Sequence, residues 1–234
     1  MTGYDPAAPA APAPAGTAAT EPAARSVRLA SALHAAGVRA GHRVSLLLPP
    51  GPARSAAVAA CLRLGAVAVA ASPALPEPDV AAAHAAARPD VVVGDRHGLR
   101  LVRRLRGPAL WLAADRPRLA DRLVGGGLPL DDLVTRHLLV ALPPFPDPDG
   151  DAALLFVPSD RPGEGPLGVH WTRADLAALA AAPAPGPGAV AATPRGARAA
   201  STPLARELLT AAGGWPQPLV RTGGPAPERR PALV

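Results

Sequence analysis

Residues 154–172 read LLFVPSDRPGEGPLGVHWT, and this stretch decides how the rest of the chain is interpreted. The apolar run Leu154–Val157 has the composition of a buried strand, and a loop of Gly, Pro and small polar residues follows it. The apolar run resumes at Val169, and Thr172 is placed to begin a helix. A strand, a flexible loop and a helix commonly hold a phosphate group on backbone N–H donors. The stretch therefore predicts the outline of a phosphate loop.

Short apolar strands alternate with helices through the first half of the sequence. The predicted helices cover 23–36, 53–64 and 79–87, the last capped by Asp79, and the predicted strands cover 43–48, 66–70 and 90–93. These strands are apolar throughout, as in parallel sheets that are covered on both faces. The pattern predicts an α/β fold with a doubly wound, mostly parallel sheet flanked by helices.

The pattern is weaker further along the chain. We expect a helix over 97–106, a strand over 109–113, and a helix followed by an edge strand within 128–142. The remaining predictions are helices over 172–182 and 203–212 and short strands over 189–192 and 218–221. Residues 1–21 and 222–234 read as a disordered Ala/Pro tail and a flexible tail, so the predicted domain covers 22–221.

Composition limits the classes of partner. The net charge of the 234 residues is +6 and every basic residue is Arg, which indicates coding bias in a GC-rich genome rather than a site. The Arg cluster over 96–106 predicts a solvated helix face, and no nucleic-acid partner is expected because reading motifs and stacking aromatics are missing. The single cysteine, Cys61, is predicted to be a small buried hydrophobe. With no signal peptide and no membrane-length apolar run, a cytoplasmic location without membrane contact follows by default.

Residues 29–80 resemble the opening of the adenylate-forming ligases, a family of acyl-CoA synthetases, peptide-synthetase adenylation domains and luciferases. The family has a helix, a "GDRV" turn, a strand, a second helix and a "GAV.VP..P" segment. The positions that match are Gly41, His42 (in place of Asp), Arg43, Val44, Gly65, Ala66 and Pro73. The resemblance implies the fold of the first half of the family's large domain, and covers most of 23–221.

The loop resembles the family's T-S-G-T-T-G-x-P-K-G pattern, which wraps the phosphates of ATP. Ser159, Gly163, Pro166, Gly168 and Val169 match, whereas Pro158, Asp160, Arg161, Pro162 and Leu167 depart from it, and one residue is inserted. HWTRADL resembles the helix start that follows. The resemblance implies ATP or AMP with Mg²⁺ as the cofactor if a site is retained. Its residues would be Ser159, Arg161, Gly163, Gly168 and Thr172.

The departures predict a degenerate loop. Asp160 and Glu164 place negative charge where a triphosphate would lie, Pro162 removes an N–H donor and Leu167 replaces the cation. Only Arg161 could compensate. The complete ligases are also more than twice as long and carry a catalytic lysine, whereas this sequence has no lysine. It is similar to short actinobacterial proteins of the same truncated type.

Other side chains predict little chemistry. The six histidines show no metal-ligand spacing, and only His170, beside the loop, is placed for a reaction; an ordinary packed or surface histidine is the competing interpretation. The pair Asp131–Asp132 predicts a helix N-terminal or surface role. We therefore predict no catalytic and no metal-binding residue.

Three hypotheses follow. The leading one is a non-catalytic relic of an adenylate-forming ligase, a pseudoenzyme that binds a protein partner or a small ligand. The alternative is a weak or split adenylating enzyme completed by a second chain, which implies an obligate partner or a homodimer because half a domain would expose apolar surface. A third is a regulatory domain that senses nucleotide or acyl-CoA through Arg161.

Overall fold

A computed structural model describes residues 20–103, 110–114, 127–136, 141–144, 147, 149–161, 163–182 and 196–211. The predicted strands over 189–192 and 218–221 and both predicted tails up to residue 19 and from residue 222 lie outside these ranges. The first helix begins at Thr20, two residues before the predicted domain boundary. No helix in the described ranges has both the length and the apolar character needed to cross a bilayer.

Seven strands form one sheet in the order β5-β4-β3-β1-β2-β6-β7. Every neighbouring pair is parallel except β6 and β7, which are antiparallel. The mostly parallel sheet predicted from the apolar strands is therefore confirmed. The strands are β1 Arg43–Leu47, β2 Val67–Ala71, β3 Val91–Gly94, β4 Leu110–Ala113, β5 Leu128–Pro129, β6 Asp151–Val157 and β7 Leu167–Thr172.

Seven helices are described, and they cover both faces of the sheet. They are α1 Thr20–Ala35, α2 Pro52–Leu64, α3 Glu77–Ala87, α4 Arg96–Val102, α5 Leu130–Arg136, α6 Arg173–Ala181 and α7 Ala197–Ala211. On β2, Ala68 and Ala70 pack in the core shared with α1, α2 and α7, whereas Val67 and Val69 pack against α3. Because both faces of a parallel strand are buried, both faces are mostly apolar, which explains the nearly uniform apolar runs.

Cys61 lies in the larger of these cores. Its side chain is fully buried on α2, as predicted, and burial raises the pKa of the thiol to about 12. The thiol is thus held in its neutral, unreactive form, since the thiolate is the reactive species of cysteine.

Three helix and strand predictions were wrong, each because of a proline. Helix α3 begins at Glu77 after Pro76, so Asp79 lies in its first turn rather than at its cap; proline is tolerated there because the first turn needs no N–H donor. The segment predicted as a helix and then an edge strand begins instead with strand β5, which Pro129 ends before α5 starts; residues 137–140, where the predicted strand would follow, lie outside the described ranges. Helix α7 begins at Ala197 and contains Pro203 in its interior.

Candidate functional site

The loop predicted to bind phosphate joins two antiparallel strands. It follows β6 at the carboxyl edge of the parallel strands, beside the loop after β2, where the Ser72 N–H donates to the Phe156 carbonyl over 2.8 Å. Ligands of open α/β sheets bind at this edge. The position of the loop is therefore suitable for a binding site, and its internal contacts decide what it can hold.

Glu164 accepts hydrogen bonds from two of the side chains that would contact phosphate if a site were retained. The Ser159 hydroxyl donates to Oε2 over 2.9 Å, and the Arg161 guanidinium donates to Oε1 over 3.1 Å. The Arg161 N–H in turn donates to the Ser159 hydroxyl oxygen over 3.2 Å. One carboxylate thus engages both predicted phosphate donors at once.

A tight turn brings Glu164 back to Ser159. The Glu164 N–H donates to the Arg161 carbonyl over 3.3 Å, and Gly163 has a φ of +84°. A residue with a side chain rarely adopts this angle, so the glycine is required by the turn. Gly163 therefore shapes the loop, and an added Cβ would meet no atom within 4 Å.

Gly168 and Thr172 lie outside the loop. Gly168 is the second residue of β7, where it pairs with Phe156; an added Cβ would lie 3.1 Å from the Phe156 ring. Thr172 ends the six-residue strand, which at about 3.4 Å per residue places it roughly 17 Å from Leu167. Strand β7 therefore lies between the loop and the N-terminus of α6, so the structure does not bring Thr172 to the other predicted phosphate-binding residues.

The N-terminus of α6 is satisfied by its own side chains. Thr172 accepts from the Asp175 N–H over 3.0 Å, and Asp175 accepts from the Thr172 N–H over 3.1 Å. The Arg198 guanidinium lies 2.6 Å from the Asp175 carboxylate, and this hydrogen bond, with that from Thr172, lowers the pKa of Asp175. The sequence Thr-x-x-Asp has the spacing of a capping box and could have predicted this role.

Arg173, the next residue along, is a buried charge that sequence reasoning missed. Its side chain donates to the Asp147 carbonyl over 3.3 Å, while Nε and Nη2 are buried and have no hydrogen-bond partner. Burial lowers the pKa of Arg173, and the nearby carboxylates of Asp147 and Asp151 oppose this shift. The guanidinium lies at the amino edge of the sheet, where the Arg173 N–H meets the Gly150 carbonyl, and is remote from the loop.

His170 is exposed on β7, opposite Leu154. Its Nδ1 lies 3.3 Å from the Asp151 carboxylate, and both side chains are about half exposed. In the described ranges, no three His, Cys, Asp or Glu side chains come close enough together to hold a metal ion. His170 thus forms a surface pair at the far end of the hairpin, away from the loop.

A buried serine and histidine also meet inside the sheet, a pairing that the sequence did not reveal. Ser45 on β1 is hydrogen-bonded to Nδ1 of His84 on α3, and both residues are completely buried. Burial lowers the pKa of His84 to about 4. A serine and a histidine in contact can form a nucleophile and its base, but no substrate reaches a pair that solvent cannot reach.

Comparison with known protein families gives a match over the first half of the described chain. Residues 19–134 match the model of a family described as AMP-binding enzyme. Over these residues the chain is a homologue of the AMP-binding enzymes. The match contains residues 29–80, which carried the resemblance in sequence, and ends before the loop after β6. No curated protein matches the sequence significantly.

Solved structures show that the homologue has the fold of the acyl-CoA ligases. An anthranilate CoA ligase in complex with anthranoyl-AMP is 20% identical with a TM-score of 0.58; the alignment covers 68% of this chain and 30% of that one. An acyl-CoA synthetase from Brucella canis is 18% identical with a TM-score of 0.54, and the alignment covers 67% of this chain and 28% of that one. The apo structure of MbtA from Mycobacterium smegmatis is 24% identical with a TM-score of 0.56, and the alignment covers 68% of this chain and 29% of that one. The chain spans about a third or less of the length of these proteins.

The loop does not fit the ATP and Mg²⁺ that the family implies. A triphosphate requires free donors, yet the Ser159 hydroxyl and the Arg161 guanidinium both engage Glu164. Asp160 adds an exposed negative charge, and Leu167, which replaces the family's lysine, is 37% exposed and carries no charge. Two carboxylates therefore lie beside the only guanidinium among the described residues of the loop, and no reaction step is assigned to it.

Proposed function

We propose that this AMP-binding homologue is a non-catalytic, ligase-like domain that binds a protein partner or a small ligand and does not activate carboxylic acids. The observation that supports the proposal most directly is the capture of Ser159 and Arg161 by Glu164. The predicted cytoplasmic location remains a prediction.

The physical argument rests on charge. At about 4 Å, two like charges repel by about 1 kcal/mol in water and by several kcal/mol at the lower effective dielectric near a protein surface. A triphosphate carries several negative charges, and the loop offers it two carboxylates and a single guanidinium. The helix N-terminus cannot compensate, because β7 carries it to the opposite edge of the sheet.

Pyrophosphate exchange tests this proposal. The full chain would be incubated with ATP, Mg²⁺, labelled pyrophosphate and a panel of aromatic and aliphatic carboxylic acids, with a complete acid–CoA ligase as the positive control. We expect no exchange above the protein-free rate and no heat of ATP binding by isothermal titration calorimetry. Robust exchange with any acid would overturn the proposal.

A weak or split adenylating enzyme, completed by a second chain, is the alternative. In this alternative a second chain would supply what the alignments leave out, since they cover 28–30% of three compared structures. The alternative also predicts a large exposed apolar surface. In the described ranges the exposed large hydrophobic side chains are Val27, Leu128 and Leu167, and the last two lie on opposite edge strands. Size-exclusion chromatography with light scattering decides, since the alternative requires a dimer or a co-purifying partner and a stable monomer contradicts it.

A further inference from the structure

The loop after β6 holds two donors that suit phosphate and an acceptor that engages both. The donors are the Ser159 hydroxyl and the Arg161 guanidinium, and the acceptor is the carboxylate of Glu164. A carboxylate presents two oxygens to these donors, as a phosphate group would. The loop is therefore self-ligated.

We propose that Glu164 is an internal ligand that closes this loop to phosphate-bearing molecules. The inference rests on the proposed function, because both start from a loop that does not bind ATP. It goes further because it attributes the lack of phosphate binding to a single carboxylate, that of Glu164, which takes the place of the ligand. A loss of donors is not needed.

The geometry of the turn supports this assignment. Gly163, at a φ of +84°, lets the chain reverse, and the Glu164 N–H bond to the Arg161 carbonyl holds Glu164 over Ser159. The Arg161 N–H bond to the Ser159 hydroxyl oxygen fixes the direction in which that hydroxyl donates. Each donor is thus oriented toward a common point, which Glu164 fills.

The block should be removable by one substitution. The Arg161 side chain is 80% exposed and that of Glu164 is 45% exposed, so water and salt weaken the contact between them. Glu164→Gln removes the negative charge and keeps the size of the side chain. An incoming phosphate would then compete with a neutral amide and would no longer meet the charge of Glu164.

Inorganic pyrophosphate without Mg²⁺ is the probe, measured by isothermal titration calorimetry on the full chain at low ionic strength. We expect E164Q to bind pyrophosphate about tenfold more tightly than the wild type, with a gain that shrinks as salt is added. The matched control is Asp132→Asn on α5, which changes the net charge equally on an exposed residue. Asp132 follows β5, five strands from β6, or about 24 Å. D132N should bind as the wild type does.

A double variant shows where the pyrophosphate binds. Adding Arg161→Ala to E164Q should return the affinity to the wild-type level or below. The inference is overturned if E164Q binds no better than the wild type, if D132N gains as much, or if the gain persists in the double variant. Should E164Q fold poorly by circular dichroism, Glu164→Ala is the substitute and carries the same expectations.

The outcome for the proposed function is read separately, from pyrophosphate exchange by the wild type. Exchange by the wild type refutes the proposed function whatever E164Q does. An inactive wild type with an unchanged E164Q refutes only the role of Glu164.

Discussion

The two ends of the β6–β7 hairpin each hold a carboxylate that accepts from nearby donors, but the side chains around the two carboxylates differ in burial. At the loop end, Glu164 accepts from Ser159 and Arg161, whose guanidinium is largely exposed. At the other end, Asp175 caps α6 next to Trp171, which is 4% exposed. The loop end can be altered without touching the core, whereas the capped end cannot.

The capped end also holds the hairpin to α7. The Trp171 indole N–H donates to the Ser201 hydroxyl over 3.0 Å, and Arg198 lies 4.3 Å above the indole ring while pairing with Asp175. The two carboxylates thus have different structural roles: Asp175 joins packed elements, whereas Glu164 accepts from donors within a surface loop. Mutations at the two ends should separate these roles by the size of their effects.

The largest effect is expected at Trp171. Trp171→Ala removes a buried ring, its hydrogen bond and its cation–π contact, and should lower the free energy of unfolding by about 3–5 kcal/mol. Leu167→Ala, at the loop end of the same strand, is the matched control and should cost much less because the side chain is 37% exposed. Urea unfolding followed by circular dichroism measures both. Equal losses would mean that the two ends are packed alike.

The buried His84 extends the comparison to a fully enclosed polar group. Its pKa is about 4 in the folded chain and about 6.5 when unfolded, so between these values only the unfolded chain binds the proton. Stability should therefore fall as the pH drops from about 6.5 to about 4, by about 3 kcal/mol in total. Nothing of this loss is expected above pH 7, where the imidazole is neutral in both states.

His84→Gln provides the reference for this titration, because glutamine does not titrate. Urea unfolding at several pH values gives the difference in unfolding free energy between the wild type and the variant. This difference should change with pH by the whole loss of stability assigned to His84, because the carboxylates are common to both proteins. A difference that stays constant from pH 7 to pH 4 would show that His84 is accessible to protons in the folded state.

The sheet was predictable from sequence because its central strands are buried on both faces. Uniform apolar runs such as Val91–Val93 have no polar face to confuse the assignment, and glycines such as Gly65, with a φ of +75°, end the helices between them. The errors in this part were at Pro76, Pro129 and Pro203, where the meaning of a proline depends on its position within an element.

The site was less predictable because its geometry depends on pairing between distant segments. Residues 168–171 alternate between exposed and buried positions as an edge strand does, yet the local sequence did not show that this strand carries Thr172 away from the loop. The role of Glu164 was also missed. Its charge was recognised from sequence, but which donors it meets depends on the turn at Gly163.

An intermediate effect is expected at the cap of α6. Thr172→Ala removes the side-chain acceptor for the Asp175 N–H and should cost about 1 kcal/mol of stability, whereas Thr172→Ser retains the acceptor and should cost less. Urea unfolding at neutral pH compares the two variants. If alanine and serine are equally destabilising, the loss arises from the methyl group and its packing, and the cap contributes little.

The smallest effect is expected at the loop end. Ser159→Ala and Arg161→Ala each remove one donor to Glu164, and exposed contacts of this kind contribute about 0–1 kcal/mol. The free energy of unfolding of each variant should therefore lie within about 0.5 kcal/mol of the wild-type value. Urea titration resolves so small a difference poorly, so hydrogen exchange at the Glu164 amide is the measurement. Exchange there should accelerate in both variants, since the turn loses its side-chain tie, while the amides of β6 remain protected. A loss above about 1 kcal/mol in either variant would mean that the self-ligated loop holds the hairpin together, and the contrast between its two ends would then fail.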